Sequence, residues 1–247
     1  MKFKYILSLS GGKDSVALLL WLLEHKDKYP LDEVVYCNML KWEYDCIENV
    51  ISRCKEMCLE HKITFTQFDI NMDNFFKYSW CGGTCRWGTT LKTQTLKKYY
   101  ESVYKDYTII EYLGYAKGEE KRINRNFDNT IKIYPLIENG ITENDCLVMC
   151  YKHHIHWIDD GKELYDYLDR VSCKYCRNKN LKELEAIYKH FNKYWEELHL
   201  MQNQTHLQYY KRYSLAELEA KFDKSNKQIS QQTIFDYLEE VKQDEQS

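Results

Sequence analysis

The strongest chemical signal in the sequence is a short glycine loop near the start of the chain. Residues 10–15 read Ser-Gly-Gly-Lys-Asp-Ser, after a short apolar run and before an apolar stretch with helical character. Adjacent glycines let the backbone turn sharply and let a phosphate approach the amides without a Cβ clash. The helix that follows directs its free N–H groups and positive dipole end at the same point. The loop is therefore predicted to hold a polyphosphate.

The side chains of this loop supply further groups that bind phosphate. Ser10 and Ser15 add hydroxyl donors, and Lys13 adds a cation. The order of residues differs from the Walker loop, which has four residues between its first glycine and Gly-Lys-Ser/Thr. It also lacks the three glycines of the dinucleotide-binding fingerprint. The alternative interpretation is a tight strand-to-helix turn that binds nothing.

Cysteines provide a second set of candidate chemical groups. Cys173 and Cys176 have the spacing of a metal or redox pair, and Cys81 and Cys85 lie in an upstream segment that contains glycines. Four thiolates from two loops can close a tetrahedral zinc site or hold a four-iron cluster. Ordinary reduced thiols are the alternative, and spacing alone does not separate these three choices.

Other cysteines and a group of histidines are predicted to have no role in the chemistry. Two pairs of cysteines are spaced four residues apart on predicted helices, where cysteine packs as a small hydrophobe. They are Cys54, Cys58, Cys146 and Cys150. Three histidines surround Ile155 and are predicted to face solvent. They are His153, His154 and His156.

The elements that must position the loop alternate between strands and helices. Predicted strands cover Tyr5–Leu9, Glu33–Leu40, Ile63–Phe68 and Tyr107–Gly114, and predicted helices cover Ser15–His25 and Tyr44–His61. Strands separated by helices of this length form βαβ units, which give a parallel sheet with helices on both faces. Residues 71–90 have no clear period and are predicted to form an ordered, irregular insertion that carries cysteines.

The pattern becomes helical near Leu181, so we expect an α/β domain over residues 1–180 and a helical extension over 181–247. Ser214–Glu217 has the spacing of a capping box for one late helix, and Gln232–Val241 suggests a last helix. Trp195, Leu198 and Leu200 of this extension can form an interface in a homo-oligomer.

Composition limits the classes of function. The chain of 247 residues has 30% charged and 44% hydrophobic residues, the balance of a globular protein, and its net charge of −3 does not indicate a nucleic-acid partner. The longest apolar stretches fall short of the roughly 18–20 residues that a membrane-spanning helix needs. We expect a cytoplasmic protein whose ten cysteines are reduced thiols or metal ligands.

Several motifs resemble one enzyme superfamily. The loop Ser10–Ser15 resembles the PP-loop of the N-type ATP pyrophosphatases, which cleave ATP between the α and β phosphates. Residues 114–122 resemble the glycine-to-arginine stretch of the phosphoadenosine-phosphosulfate (PAPS) reductase family. Residues 134–138, 140–143 and 169–176 are similar to later blocks of that family, so the resemblance covers roughly residues 5–200.

The resemblance implies a fold and a set of binding residues. The fold is a doubly wound parallel sheet of the adenine nucleotide alpha hydrolase-like, Rossmann-like type, with an adenylyl nucleotide at the carboxyl ends of its strands. Asp14 would help to hold magnesium with the ATP phosphates, and Lys13 and Arg122 would join it in catalysis. A surface ion pair with Glu119 is the alternative for Arg122. The other implied nucleotide-binding residues are Ser8, Ser10, Gly11, Gly12, Ser15, Tyr36, Asn38 and Gly114.

The family also bears on the cysteines. Some adenylylsulfate reductases hold an iron–sulfur cluster with a block of paired cysteines and a later Cys-x-x-Cys. In this sequence the upstream pair, Cys81 and Cys85, is separated by three residues, and Gly88 follows Arg86-Trp87 where many relatives carry cysteine.

Three functions follow as hypotheses. The first is an enzyme that cleaves ATP to AMP and pyrophosphate and activates an unknown acceptor as an adenylate, for transfer of sulfur or another group from a donor. The second is a sulfonucleotide reductase, alone or with a redox partner protein. It needs a nucleophilic cysteine that in true reductases lies in a C-terminal tail, whereas no cysteine follows Cys176 here. The third is a nucleotide-binding module without catalysis.

Overall fold

The structure is a computed structural model that describes residues 2–76, 80, 87–123 and 130–224. The chain divides into two compact units. The first comprises Met1–Phe75 and Cys81–Cys176, and the second comprises Phe76–Trp80 and Arg177–Ser247. The described residues contain no helix that is long and apolar enough to cross a membrane.

The first unit contains a five-stranded parallel sheet in the order β3-β2-β1-β4-β5. The strands are β1 Lys2–Leu9, β2 Glu33–Asn38, β3 Thr64–Asp69, β4 Tyr107–Leu113 and β5 Thr130–Ile133. The predicted parallel α/β fold is confirmed, and each predicted strand agrees with an observed one to within a few residues.

Six α-helices and a small antiparallel ribbon accompany this sheet in the part of the chain that the structure describes. The helices are α1 Lys13–Glu24, α2 Cys46–Glu60, α3 Asp73–Phe76, α4 Gly88–Val103, α5 Pro135–Glu138 and α6 Glu143–Lys152. The ribbon pairs β6 Ile158–Asp159 with β7 Lys162–Glu163. The sequence did not predict α4 or β5. Helix α6 contains Cys146 and Cys150, which the sequence placed on a predicted helix without giving its bounds.

Helices pack on both faces of the sheet. The chain moves from β1 to β3 in one direction and then returns past β1 to β4, so right-handed crossovers place the linking helices on opposite faces. Tyr100 of α4 packs with Ile6, Val35 and Ile109 on one face.

A buried carboxylate attaches α4 to the sheet. Glu33 of β2 is fully buried. Its carboxylate accepts hydrogen bonds from Tyr99 Oη at 2.7 Å, Tyr104 Oη at 2.5 Å and Thr66 Oγ1 at 2.5 Å. A buried carboxylate is costly unless it is hydrogen-bonded. The hydroxyls of Tyr99 and Tyr104 therefore hold the C-terminal end of α4 against β2, while Thr66 of β3 completes the set of donors.

The predicted insertion over residues 71–90 is described only in part. The short helix α3 lies within it, and α4 begins at Gly88. Residues 77–79 and 81–86, and with them Cys81 and Cys85, lie outside the described residues.

The second unit is helical where it is described. It contains α7 Leu181–His190, α8 Asn192–Gln202 and a helix over residues 215–224. The predicted capping box is confirmed, because the Ser214 amide donates to Glu217 Oε2 at 2.7 Å and the Glu217 amide donates to Ser214 Oγ at 3.2 Å. The predicted helix Gln232–Val241 lies outside the described residues.

The predicted interface residues of this unit have different environments. Trp195 and Leu198 are buried within the unit, whereas Leu200 is exposed. The prediction that Trp195 and Leu198 form an interface is therefore wrong, because their apolar side chains already pack within the second unit.

The fold places the ends of β1 and β4 at one point. The strand order reverses between these neighbours, and the crevice outside the carboxyl ends at such a point is where open α/β sheets bind ligands. At the end of β4, a Cβ on Gly114 would lie 2.7 Å from Ser15 Cα and 2.8 Å from Ser15 N. Only glycine allows the chain to approach the first turn of α1 so closely.

We expect Gly114→Ala to destabilise the protein, because its Cβ would collide with backbone rather than with a movable side chain. Overpacking of this kind costs about 1–3 kcal/mol, or a fall of several degrees in melting temperature. Gly12→Ala is the matched control, since a Cβ there meets Tyr165 Oη at an ordinary 3.6 Å and φ is −82°. Equal melting temperatures for the two variants would contradict this close approach.

Candidate active site

The loop between β1 and α1 is closed by its own side chains. Gly11 adopts a φ of +80°, which favours glycine. Ser10 Oγ lies 2.9 Å from Ser15 Oγ, and the Ser10 amide donates to the same Ser15 oxygen at 3.1 Å. The loop is therefore shaped by its own hydrogen bonds, and it brings together the serines and glycines that the sequence predicted to bind phosphate.

Two aromatic residues near the β6–β7 ribbon hold the loop backbone. Trp157 Nε1 donates to the Gly11 carbonyl at 2.8 Å, and the Lys13 amide donates to Tyr165 Oη at 2.8 Å. The two rings pack edge to face with centroids 4.9 Å apart. The sequence did not indicate either residue, because their contacts join positions about 150 residues apart.

The Lys13 side chain lies inside the site, with only 6% of its surface exposed. Its Nζ is 2.6 Å from Glu143 Oε2 in the first turn of α6, 3.5 Å from the Asp14 carboxylate and 3.4 Å from the Asp169 carbonyl oxygen. Burial lowers the pKa of Lys13, but the hydrogen bond to Glu143 and the charges of Asp14 and Glu143 outweigh it, so the pKa is raised. The ammonium therefore stays charged.

The Asp14 carboxylate is incompletely satisfied. Its Oδ1 is buried and accepts no hydrogen bond within the described part of the chain. Burial, with Lys13 opposing and Glu143 and Glu119 reinforcing it, raises the pKa of Asp14 to about 6. An unsatisfied, anionic oxygen beside a phosphate loop fits the hard-oxygen preference of magnesium.

The segment Asp169–Cys176 passes close to the loop. The Asp169 carbonyl contacts Lys13 Nζ, and the Lys174 amide donates to the Trp42 carbonyl at 2.8 Å. Lys174 Nζ also lies 3.3 Å from Asp45 Oδ1. The segment therefore runs from the loop to the start of α2, and it contains the partly buried thiols of Cys173 and Cys176.

The described residues contain no group of three or more His, Cys, Asp or Glu side chains that could hold a metal ion. Cys81 and Cys85 lie outside that part of the chain, so the four-cysteine site stays a prediction.

A cavity of about 430 Å³ opens at the carboxyl end of β2. Tyr36 and Asn38 line it, as do Ile47 and Ile51 of α2. These two isoleucines also border the loop, since a Cβ on Gly11 would lie 3.1 Å from Ile47 Cγ2. The cavity therefore adjoins the phosphate loop, and its volume lies in the range of small-molecule sites.

The polar groups of Tyr36 and Asn38 are engaged within the protein. Tyr36 Oη donates to Glu43, and Asn38 Nδ2 donates to Asp69 Oδ1 at 3.1 Å. Contacts of their hydroxyl and amide groups with a nucleotide stay a prediction.

Ser8 and Gly114 have different environments at the two strand ends. Ser8 Oγ donates to Glu111 Oε1 at 2.6 Å, a carboxylate oxygen that also accepts from Tyr100 Oη at 3.3 Å. Gly114 packs directly against Ser15. The structure therefore brings Gly114 to the loop, while the Ser8 hydroxyl is engaged between the sheet and α4.

Arg122 forms the surface ion pair that the sequence offered as the alternative. Its guanidinium pairs with Glu119 and lies over the Tyr115 ring, 4.3 Å from the centroid. More than half of the side chain is exposed. A phosphate or substrate contact for Arg122 stays a prediction.

Six cysteines of the first unit are buried, and burial raises the pKa of each thiol. They are Cys37, Cys46, Cys54, Cys58, Cys146 and Cys150. The predicted packing role of the last four is confirmed. Thiols with raised pKa values are poor nucleophiles at neutral pH, so none of the six is an activated thiolate. The predicted exposure of the three histidines near Ile155 is also confirmed.

Two of the solved structures that this chain resembles are only distantly similar to it. One is the U34-tRNA thiolase NcsA from Methanococcus maripaludis with its [4Fe-4S] cluster, at 15% identity over 83% of this chain and 73% of that chain, with a TM-score of 0.45. The other is a 6-phospho-beta glucosidase from Thermotoga maritima, at 10% identity over 81% and 67% of the two chains, with a TM-score of 0.29. Both TM-scores are too low to support a conclusion about function.

No protein-family model matches the sequence. No curated protein matches it either.

We expect Tyr165→Phe to destabilise the protein, because it removes the acceptor for the Lys13 amide. An unsatisfied buried donor costs about 1–3 kcal/mol. Tyr151→Phe is the matched control, since the buried Tyr151 hydroxyl has no hydrogen-bond partner among the described residues. Chemical denaturation should show a loss for Tyr165→Phe alone, and equal free energies of unfolding for both variants would refute the role of the Tyr165 hydroxyl.

We expect Asp14→Asn to stabilise the protein at neutral pH. The folded-state pKa of about 6 lies above the usual value of 3.8, so the stability contributed by protonated Asp14 is present below pH 4 and is lost as pH rises through about 6. Melting curves should show a gain for the variant at pH 7.5, worth up to about 3 kcal/mol, and no gain at pH 4.

Asp145→Asn provides a control of opposite sign. Hydrogen bonds from Thr142 lower the pKa of the Asp145 carboxyl, so its replacement should lower the melting temperature at pH 7.5. An Asp14→Asn gain that does not change with pH would contradict the raised pKa of Asp14.

Proposed function

We propose that this protein is a PP-loop enzyme that binds Mg-ATP and cleaves it to AMP and pyrophosphate, activating an acceptor as an adenylate. One observation carries the proposal: the loop Ser10–Ser15 lies where the strand order reverses, and it presents the unsatisfied oxygen of Asp14 there. That position is the general ligand site of open α/β sheets. The resemblance to the PP-loop superfamily supplies the identity of the ligand.

The phosphates occupy the loop in this proposal. The Lys13 amide is engaged by Tyr165 Oη, but the rest of the first turn of α1 offers N–H groups without intrahelical acceptors. Lys13 also offers its ammonium. Asp14 would hold magnesium against the β and γ phosphates, where the ion would neutralise part of their charge. The cavity beside Tyr36 and Asn38 would receive the adenine.

The reaction is a displacement at the α phosphorus. A nucleophilic oxygen of the acceptor forms a bond to this phosphorus, and the bond from phosphorus to the α–β bridging oxygen breaks. Pyrophosphate leaves with the electron pair, and the proton of the acceptor passes to solvent. Positioning and charge neutralisation by the loop and Lys13 supply most of the acceleration, and Arg122 is the proposed contact to an anionic group of the substrate.

In the proposed second step, a nucleophilic sulfur or another group of a donor forms a bond to the activated acceptor. The bond from the acceptor to the AMP oxygen breaks, and AMP leaves with the electron pair. Support comes from the segment Asp169–Cys176, which contains Cys173 and Cys176. Its Asp169 carbonyl contacts Lys13 Nζ of the loop, and its Lys174 amide donates to the Trp42 carbonyl. We propose that these thiols hold zinc or a four-iron cluster together with Cys81 and Cys85. Metal analysis of anaerobically purified protein separates zinc, iron and metal-free thiols.

A sulfonucleotide reductase is less well supported. Its chemistry needs a thiolate that attacks sulfur, whereas burial raises the pKa values of the six buried thiols in the first unit, as described above.

We expect calorimetric titration of the full chain to show preference for Mg-ATP over adenylylsulfate and its 3′-phosphorylated form. Lys13→Ala and Asp14→Ala should each weaken Mg-ATP binding by about 10- to 100-fold, since each removes a charged contact worth about 1.5–3 kcal/mol. Lys189→Ala is the control, because Lys189 makes an ion pair with Glu185 in the second unit.

Two outcomes of this titration, and one outcome of a pyrophosphate-release assay, would change the assignment. Unchanged affinity in both loop variants would remove the phosphate-binding argument. Preference for a sulfonucleotide would favour the reductase. Mg-ATP binding without pyrophosphate release, whatever acceptor is supplied, would favour a module that binds nucleotide without catalysis.

A further inference from the structure

The Lys13 ammonium is held by a residue outside the loop. Glu143 Oε2 lies 2.6 Å from Lys13 Nζ, closer than the Asp14 oxygens at 3.5 Å. The two carboxylates and one ammonium leave an excess negative charge at the place where the proposed function requires a polyphosphate. An incoming phosphate must therefore compete with Glu143 for the Lys13 ammonium.

The two partners of this ion pair differ in their exposure to water. Lys13 is 6% exposed and Glu143 is 49% exposed. A buried ammonium is costly without a counter-charge, so Lys13 needs an anion beside it at every stage. Glu143 can be released at lower cost, because water reaches its carboxylate.

The start of α6 also favours a released Glu143. Glu143 is the first residue of this helix, where a carboxylate interacts favourably with the helix dipole. The capping box of Thr142 and Asp145 fixes this end of the helix, with the Asp145 amide donating to Thr142 Oγ1 at 3.2 Å. The Glu143 side chain can therefore exchange partners while the start of α6 keeps its place.

The Lys13 backbone is likewise fixed. Its amide donates to Tyr165 Oη at 2.8 Å, and its carbonyl lies 3.5 Å from Cys150 Sγ. Lys13 Nζ lies 5.3 Å from the centroid of the Tyr165 ring, whose face favours a cation. An exchange of partners is therefore confined to the Lys13 side chain.

We propose that Glu143 is a positioning residue that holds the Lys13 ammonium before a nucleotide binds and yields it to the triphosphate of the nucleotide. The inference rests on the proposed function and extends it. Besides Asp14 at 3.5 Å, the buried ammonium keeps a closer anionic partner throughout, Glu143 before binding and a phosphate oxygen afterwards. Glu143 thus stabilises the free protein and opposes nucleotide binding.

The test compares Glu143→Gln, Lys13→Met and the double variant in the full chain. Glutamine keeps a hydrogen-bond acceptor for Lys13 but removes the charge. Each protein is titrated with Mg-ATP and with inorganic tripolyphosphate, and its melting temperature is measured without ligand. Glu185→Gln is the matched control, because Glu185 makes an ion pair of equal length, 2.6 Å, with Lys189.

We expect Glu143→Gln to melt at a lower temperature than the wild type and to bind both ligands more tightly, on the order of tenfold, which corresponds to about 1.4 kcal/mol. In the Lys13→Met background the same substitution should not tighten binding, because no ammonium remains to be exchanged. Glu185→Gln should leave both affinities unchanged. A merely structural role for Glu143 would instead weaken binding and stability together.

The outcomes separate this inference from the proposed function. If the wild type binds Mg-ATP and Glu143→Gln binds it equally or more weakly, the inference is overturned and the proposed function stands. Tightening that persists in the Lys13→Met background also overturns it, since Glu143 would then act without Lys13. If neither the wild type nor Glu143→Gln binds Mg-ATP or tripolyphosphate, both are overturned.

Discussion

The close approach of β4 to the first turn of α1 is the contact on which the site depends. A Cβ on Gly114 would lie 2.7 Å from Ser15 Cα, so glycine at 114 lets neighbouring strand ends and the glycine loop share one small volume. The reversal of strand order between β1 and β4 brings both ends to the same edge of the sheet. Trp157 and Tyr165 then hold the loop backbone through hydrogen bonds to the Gly11 carbonyl and from the Lys13 amide.

Charge is distributed unevenly around that backbone. The buried ammonium of Lys13 makes ion pairs with two carboxylates, those of Asp14 and Glu143. Oδ1 of Asp14 accepts no hydrogen bond among the described residues. This arrangement is costly in the free protein, as the raised pKa of Asp14 shows. A divalent cation bound with a polyphosphate would relieve this cost, since the cation satisfies Asp14 and a phosphate oxygen takes the place of Glu143 beside Lys13. The electrostatics of the free loop thus agree with the proposed ligand.

Long-range contacts explain which elements the sequence failed to predict. Helix α4 is rich in threonine and lysine, and few of its residues are apolar, so its sequence has little helical periodicity. Its attachment depends on Tyr99, whose hydroxyl donates a hydrogen bond to the buried Glu33 carboxylate of β2, which is distant in the sequence. Helix α6 was predicted only as a helix that carries Cys146 and Cys150, and its start was not predicted, although Thr142 and Asp145 form a capping box there. Asp145 replaces the Glu or Gln of the usual capping-box pattern, so the local signal was weak.

The sequence alone determined the parallel α/β fold, the position of the glycine loop and the burial of cysteines such as Cys54 and Cys146. These features depend on local periodicity and on residue types whose conformations are restricted, so neighbouring residues suffice to specify them. Only the tertiary structure decided what surrounds Lys13. The sequence predicted that its ammonium is available to bind phosphate. In the structure this ammonium donates to the Glu143 carboxylate, which lies 130 positions further along the chain. Such a partner is set by the packing of α6 beside α1, and no spacing along the chain encodes that distance.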